Sequence, residues 1–485
     1  MSTNPLPISA SQTEKPTLRR ALGLSAAIAI VVGTTIGSGI FLVPKDMINQ
    51  VGTPGMVFAV WIFGGILSLF GALTYAEMAA ALPGAGGEYV YLTEAYGPFW
   101  GFVFGWTQLW VAKSASIATL ATGFYLYLAN FIPELSHVAL TIPLPLGPEG
   151  GPLEIRYGQL FAMVVIMALA WLNYYGVQFG GAVQVAVTVV KVVLIIGIVI
   201  IGLGSSHGSV ANFSTTIPAA GGFTGFFAAL VAALWAYDGW NNVSMVSSEI
   251  KNPSRNLPLA LIGGMLLIIV VYLAANAAYF YVLPAQSVGT SDRVAGEMMR
   301  RILGAPGAGA VSVAAMISIF AALNGSILTG SRVPYAMARD GLFFARVGFV
   351  HPKYRTPGVS IIAVSAWGAI LLLSGQYDNL YRLVIFSSWI LYGLAAAAVI
   401  VLRKKRPDLQ RPYRVLGYPI VPILFVGVAG LLLVSTFIKS YRESIIGLVL
   451  IAAGIPFYYH WNRNGRRGSP GSAERDVLEG HDSGV

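Results

Sequence analysis

Two short stretches of the sequence combine glycine with polar residues inside runs that are otherwise apolar. The first is GTTIGSGIF at residues 33–41, where three glycines and a serine fall within seven residues and Pro44 follows. Glycine costs about 1 kcal/mol against alanine in a helix interior, so this composition favours an opened turn. The free N–H groups of such a turn, at the positive end of the following half-helix, suit a carboxylate. The candidate substrate-binding residues here are Thr35, Ile36, Gly37, Ser38 and Gly39.

The second stretch lies at residues 233–258, ALWAYDGWNNVSMVSSEIKNPSRNLP, where an apolar run meets Asp238, Gly239 and two asparagines. A carboxylate at membrane depth costs about 2.5–3.5 kcal/mol, so its presence there usually reflects function. Trp235 and Tyr237 flank this second break and are expected to close over a bound solute, while freed carbonyls accept hydrogen bonds from an ammonium group. The candidate binding residues here are Trp235, Ala236, Tyr237, Asp238 and Gly239.

Each stretch also has a structural interpretation that the residues alone leave open. Gly37 and Gly39 are small enough to let two membrane helices pack closely. Asp238 is a suitable cap for the helix that resumes after it. Aromatic residues in membrane spans are more often packing residues than gates.

The composition indicates a membrane protein. Of 485 residues, 56% are hydrophobic and 10% are charged, against about 25% charged in a soluble domain. The net charge of +10 comes from short loops without interleaved aromatics, so no nucleic acid partner is expected. With no cysteine and five scattered histidines, no disulfide-linked partner subunit, metal site or cofactor is expected, and the chain is not read as an enzyme. No ring of like charges or repeated carbonyl filter suggests a channel.

Runs of about 20 apolar residues predict an all-α integral membrane fold with about twelve transmembrane helices. The predicted spans are residues 21–49, 54–82, 98–131, 157–175, 178–204, 223–250, 258–284, 308–338, 358–375, 378–402, 417–438 and 442–462. The two breaks fall in the first and sixth spans, as two inverted five-helix repeats require. The last two helices then lie outside the repeat.

This organisation divides the chain into five parts. They are an N-terminal tail at 1–20, a first repeat at 21–204, a second repeat with its preceding outer loop at 205–402, an inner loop with two helices at 403–462, and a C-terminal tail at 463–485. The segment 132–156 is rich in proline and glycine and is predicted as an outer loop. Inner segments carry 19 Lys and Arg against 7 in outer segments, which predicts that both termini are cytoplasmic.

Four motifs occur in order along the chain. They are GTTIGSGIF, YAEMAAALPGAGGEYVYLTEAYGP at 75–98, AYDGWN with EIKNPSRNLP, and SRVPYAMARDGLF at 331–343. Together they resemble the amino acid-polyamine-organocation superfamily, and within it the L-type amino acid transporters and their prokaryotic relatives. The resemblance runs from residue 20 to about residue 460.

The resemblance implies roles for individual residues. It implies that the Thr35 carbonyl, Ser38 and Gly39 hold the ammonium and carboxylate groups of the substrate. It implies an aromatic gate at Trp235, with the carbonyls of Trp235 and Asp238 on the ammonium. Asp238 departs from the smaller residues common at this place, and its carboxylate favours a cationic or amine-bearing side chain.

Three basic residues lie inside predicted spans, away from the loops. Lys191, in VAVTVVKVVLIIGIVIIG, has no carboxylate within a turn of its helix, so it is either a neutral amine or a charge satisfied by carbonyls and hydroxyls of other helices. The resemblance implies that a lysine here replaces a sodium ion and bridges the first and eighth spans. A plain structural cross-link is the alternative, although an intramembrane lysine is by default a functional hypothesis. Lys113 in the third span has no assigned role. Arg332, near the inner end of the eighth span, is expected to snorkel or to pair.

The sequence therefore predicts a sodium-independent secondary transporter of L-amino acids, working by exchange or with a proton, and accepting cationic substrates. The alternatives are a polyamine or amine permease of the same fold and a transporter-like sensor that binds amino acids without moving them. A stand-alone carrier in the inner or plasma membrane is expected.

Overall fold

The computed structural model describes residues 17–143, 151–374, 377–439 and 441–465. Most of the predicted tails at 1–20 and 463–485, and residues 144–150 of the predicted outer loop, lie outside these ranges.

Nineteen α-helices make up most of the described chain. In chain order they are α1 (Leu24–Thr35), α2 (Gly39–Val51), α3 (Pro54–Ala81), α4 (Glu88–Tyr96), α5 (Pro98–Thr107), α6 (Lys113–Leu128), α7 (Tyr157–Tyr174), α8 (Val177–Leu203), α9 (Gly222–Tyr237), α10 (Asn242–Met245), α11 (Pro253–Val282), α12 (Ala285–Thr290), α13 (Val294–Gly330), α14 (Arg332–Arg339), α15 (Gly358–Ser374), α16 (Tyr377–Lys405), α17 (Ile420–Lys439), α18 (Tyr441–Ala452) and α19 (Gly454–Gly465).

Short elements join some of these helices. A π-helical turn, Gln108–Ala112, makes α5 and α6 one continuous rod. Turns of 3₁₀ helix occur at Pro133–Ser136, Val210–Ser214, Ser247–Glu249 and Ala345–Gly348. The segment predicted only as an outer loop contains a hairpin, in which β1 (Val138–Ile142) pairs antiparallel with β2 (Leu153–Arg156), Leu140 standing opposite Ile155.

Proline and capping residues determine where several spans begin. Pro54 and Pro98 occupy the first turns of α3 and α5, where a helix needs no N–H. Thr53 caps α3, because its Oγ1 accepts a hydrogen bond from the N–H of Met56 at 3.2 Å. Gly176 separates α7 from α8 at a φ of 143°. The predicted starts at 54, 98, 157 and 178 agree with the structure within one residue, and these signals explain the starts at 54, 98 and 178.

Large apolar side chains are exposed along many of the helices. Val164, Val270 and Ile438 are 64%, 65% and 74% exposed. In water so much exposed apolar surface would drive association, whereas in a bilayer it is the surface that lipid solvates. Within the described ranges, nine helices or helix pairs are long and apolar enough to cross a membrane, and Gly222–Tyr237 and Gly358–Leu373 are shorter apolar helices. The all-α integral membrane fold is thus confirmed, while the total of twelve spans and the inverted repeat stay predictions.

The first and eighth predicted spans form the centre of the molecule. In the most apolar 18 residues of Leu24–Val51 and of Val294–Arg339, 83% and 78% of the residues are buried. The corresponding share in Ser444–Arg463 is 22%. The α1 helix packs against α8, α11 and α13, while α2 packs against α9. The glycine-rich first stretch therefore lies in the interior of the protein.

Candidate functional site

The first break is shorter than the glycine-rich stretch that predicts it. The α1 helix continues to Thr35, residues 36–38 leave the helical path, and α2 begins at Gly39. The N–H of Ile36 still bonds the Val32 carbonyl at 3.0 Å, so the opening starts after it. The first N–H groups of α2 have no acceptor within their own helix, and they open towards the break.

The second break follows α9. Asp238 is extended, with φ −65° and ψ 147°, and Gly239 has a φ of 104°, a conformation that favours glycine. The chain becomes helical again only at α10. The two breaks are linked directly, since Thr34 Oγ1 donates a hydrogen bond to the Gly239 carbonyl at 2.8 Å.

Glycine also brings the two broken spans into contact. A Cβ built at Gly39 would lie 2.6 Å from the Cα of Ala236, and one at Gly239 would lie 3.0 Å from the Thr34 carbonyl oxygen. The close-packing interpretation of Gly39 is therefore correct, and it does not compete with a binding role. Close packing is what places the free N–H groups of α2 beside the second break.

A small cavity lies between the two breaks. Its lining residues are Thr34, Thr35, Gly37, Ser38, Gly39, Ser116, Leu120, Trp235, Asp238, Gly239, Asn242 and Ser326. Asp238 is partly exposed, whereas the other lining residues are buried. Thr35 Oγ1 is buried and has no hydrogen-bond partner among the described residues, so this hydroxyl is free to bind a solute.

Seven of the ten candidate binding residues line this cavity, and three do not. Ile36 is fully buried, and its carbonyl accepts hydrogen bonds from Lys191 and Ser318. The Ala236 carbonyl lies 2.7 Å from the hydroxyl of Tyr272, which satisfies it. Ile36 and Ala236 therefore stabilise the two breaks through their carbonyls and do not line the cavity.

Tyr237 lies on the face of α9 opposite Trp235. Two residues along a helix correspond to about 200° of rotation, so both rings cannot face one solute. The Tyr237 hydroxyl donates to the Trp61 carbonyl at 3.1 Å, and its ring packs against Trp61 and Tyr272. Trp235 alone faces the cavity, where it stacks on Tyr381 of α16 with ring centroids 6.0 Å apart. The expectation that Tyr237 closes over the solute is therefore dropped.

Lys191 reaches from α8 to the first break. Its ammonium donates hydrogen bonds to the carbonyls of Gly33 at 2.6 Å and Ile36 at 2.5 Å. Ser318 of α13 donates to the same Ile36 carbonyl at 3.0 Å. The Lys191 side chain thus holds carbonyls that the break leaves without helical partners, and the link to the eighth span runs through Ser318.

Side chains that the sequence left without a role surround the second break. Lys113 Nζ donates to Asn242 Oδ1 at 2.6 Å, and the Tyr392 hydroxyl donates to Asp238 Oδ1 at 3.0 Å. Asn241 Nδ2 donates to Glu88 Oε1. The sequence marked Lys113 as an anomaly, but nothing in it pointed to Glu88 or to these pairings across more than 100 residues.

Glu88 begins α4, between the second and third spans, and is fully buried. Burial raises the pKa of its carboxyl to about 7, against the opposing effects of its own backbone N–H and the Asn241 amide. Its Oε2 has no hydrogen-bond partner among the described residues.

Nothing in the described ranges resembles a metal centre. No group of three or more histidine or acidic side chains gathers there at a distance that could hold an ion.

Comparison with known proteins gives the family. A family model described as amino acid permease matches residues 22–455, about nine-tenths of the chain. The chain belongs to the amino acid permease family. Membership makes it an integral membrane protein and a transporter by descent, and confirms the resemblance carried by the four motifs.

Individual relatives match over nearly their whole lengths. The serine/threonine exchanger SteT of Bacillus subtilis is 34% identical over 452 residues, covering 92% of this permease and 98% of the relative. The human b(0,+)-type amino acid transporter 1 is 32% identical over 454 residues, covering 93% and 89%. The human cystine/glutamate transporter is 30% identical over 448 residues, covering 92% and 86%.

Proposed function

We propose that this permease is a sodium-independent secondary transporter that exchanges L-amino acids across the membrane by alternating access. The observation that carries the proposal is the cavity between the two helix breaks, which residues of both breaks line. Free N–H groups of α2 suit the substrate carboxylate, and freed carbonyls with the Thr35 hydroxyl suit its ammonium.

Sodium independence is inferred from Lys191. A sodium ion at such a break would be held by carbonyl and hydroxyl oxygens, and here a fixed ammonium already bonds the carbonyls of Gly33 and Ile36. A cation that belongs to the chain stabilises these carbonyls without a dissociable ion. Transport is then expected to proceed equally well in sodium-free solution.

The names of relatives support amino acids as the substrate class. SteT is named as an exchanger of serine and threonine, and another relative as a transporter of cystine and glutamate. Serine and threonine are therefore the first substrates to test. We further propose that the chain works without a disulfide-linked partner, since it has no cysteine, and that both termini are cytoplasmic.

The proposal is tested by uptake of labelled L-amino acids into proteoliposomes of the purified protein, with sodium replaced by choline. We expect saturable uptake of at least one amino acid at the same rate in both salts. Uptake that requires sodium would contradict the role of Lys191. Specific binding without flux for every amino acid tested would favour a sensor instead.

A further inference from the structure

Charged side chains from three different elements meet at the second break. Lys113 comes from α6, Asp238 from the break itself and Glu88 from α4. In a low-dielectric interior an isolated charge is strongly unfavourable, so each must be balanced by a partner. The net charge that a substrate meets in the cavity therefore depends on which of these charges are paired.

Lys113 is built into the protein with little freedom to turn away. Lys113 is 4% exposed. Its aliphatic chain packs against Gly330, so closely that a Cβ at that position would lie 2.8 Å from Lys113 Cδ. Its ammonium donates to the Asn242 side chain, and Asn242 lines the cavity with Asp238. Lys113 is therefore held directly behind a residue that lines the cavity.

Asp238 is the carboxylate that lines the same cavity as Asn242, the residue to which Lys113 is bonded. Glu88 is already bonded to Asn241, and because burial raises its pKa to about 7, it carries only part of a charge at neutral pH. Tyr392 orients the Asp238 carboxylate by donating a hydrogen bond to Oδ1 at 3.0 Å.

We propose that Lys113 is the internal counter-charge of Asp238, so that the cavity is electrically balanced and selects L-amino acids with uncharged side chains. This inference rests on the proposed function and names its substrate class. A cationic side chain would have to share Asp238 with the fixed ammonium, and an anionic one would have to share Lys113 with the carboxylate. Like charges brought together at a desolvated site disfavour both.

This inference replaces the expectation drawn from Asp238 alone. The sequence shows the carboxylate in its motif, but Lys113 lies 125 positions earlier and in another span. An unpaired Asp238 favours a cationic substrate, whereas a paired one does not.

The test compares four proteins reconstituted in proteoliposomes: wild type, Lys113→Met, Asp238→Asn and the double variant. Uptake of a labelled neutral amino acid, serine, is inhibited with lysine, glutamate or unlabelled serine. In the wild type we expect serine to inhibit at least about tenfold more strongly than lysine or glutamate. Lys113→Met should shift the inhibition ratio at least about tenfold towards lysine, and Asp238→Asn about as far towards glutamate. The double variant should return to the neutral preference.

A matched control removes a lysine elsewhere. Lys353 is exposed in the loop before α15, so Lys353→Met should keep the wild-type profile. A wild type that prefers lysine, or single variants with unchanged preference, would overturn the proposal.

Thermal unfolding of the same proteins in detergent measures the pairing without transport. Each single variant leaves one charge without its counter-charge. The double variant should therefore unfold at a higher temperature than the sum of the two single losses predicts. Additive losses would overturn the pairing even if the single variants no longer transport. If the wild type moves no amino acid but the losses are non-additive, the proposed function fails and the pairing stands.

Discussion

Glu88 shows how a residue outside the predicted spans becomes part of the interior. The glycines before it, Gly86 and Gly87, both have positive φ and turn the chain so that α4 begins beneath the second break. A carboxylate in this position bonds Asn241 and interacts with charged and phenolic groups from every element around it. These groups are Lys113, Asp238, Tyr75, Tyr91 and Tyr392.

Its raised pKa predicts a pH dependence of stability. With a folded-state pKa of about 7 against 4.5 in the unfolded chain, the folded protein holds a proton between these values that the unfolded chain has released. The contribution of Glu88 to the free energy of unfolding is therefore greatest below pH 4.5 and falls between pH 4.5 and pH 7, by up to about 3 kcal/mol. Glu88→Gln should remove this fall, so that the variant gains unfolding temperature relative to wild type between pH 5 and pH 8.

Glu94→Gln is the matched control, because Glu94 is an exposed carboxylate on the same helix. It keeps Glu88 and should keep the wild-type profile. If Glu88→Gln and wild type show parallel profiles over this range, Glu88 does not titrate as described.

At the scale of elements, the site depends on how closely two broken spans approach. A Cβ at Gly39 would lie only 2.6 Å from the Cα of Ala236, so even one methyl group pushes α2 away from α9. Overpacking of this kind costs about 1–3 kcal/mol. Gly39→Ala should therefore lower the unfolding temperature and reduce uptake at least about tenfold.

Gly263→Ala is the control, since Gly263 lies inside α11 with open space around its Cα. Alanine there improves helix propensity by about 1 kcal/mol and should stabilise the protein. Equal effects of the two substitutions would show that backbone conformation, and not contact with Ala236, explains Gly39.

A buried ion pair joins the end of the sixth span to the eighth. Arg332 donates to both carboxylate oxygens of Glu249, at 2.7 and 3.0 Å, and both side chains are fully buried. The Glu249 carbonyl also accepts the N–H groups of Ala21 and Leu22, so the segment before α1 is held at the same point. Of the two outcomes expected for Arg332, snorkelling or pairing, the structure has pairing.

Removing one partner of this pair should be strongly destabilising. Arg332→Met leaves Glu249 buried without its counter-charge, at a cost of about 3–5 kcal/mol. Arg406→Met breaks the exposed pair with Glu94, which is worth about 0–1 kcal/mol. Unfolding temperatures in detergent should separate the two variants clearly. Equal small losses would mean that the buried pair is not required for the fold.

The sequence predicts most elements because membrane spans are local. Apolar run length, Pro54, Pro98 and Gly176 fix the helices without reference to the rest of the fold. The pairings of Lys113 with Asn242 and of Tyr392 with Asp238 depend on which helices pack together, and no local pattern carries that. Adjacency to the break predicts that Tyr237 faces the cavity, but the rotation of the helix turns its ring to the opposite side.

At the scale of the whole molecule, orientation in the bilayer is the prediction that sequence charge alone supports. The chain has no cysteine, so single cysteines can be introduced without a background. Ser206 and Gln410 are exposed in loops predicted to be outer and inner, respectively. A membrane-impermeant thiol reagent should label Ser206→Cys in intact cells and Gln410→Cys only after permeabilisation. The reverse pattern would place the termini outside.

Exchange through the cavity between the two breaks is the central claim, and counterflow measures it most directly. Proteoliposomes preloaded with unlabelled serine or threonine, in sodium-free solution, receive a trace of the same labelled amino acid outside. We predict a transient accumulation of label above equilibrium, absent from empty proteoliposomes and reduced at least about tenfold in Gly39→Ala. No accumulation with any L-amino acid, or accumulation that appears only when sodium is added, would contradict the account.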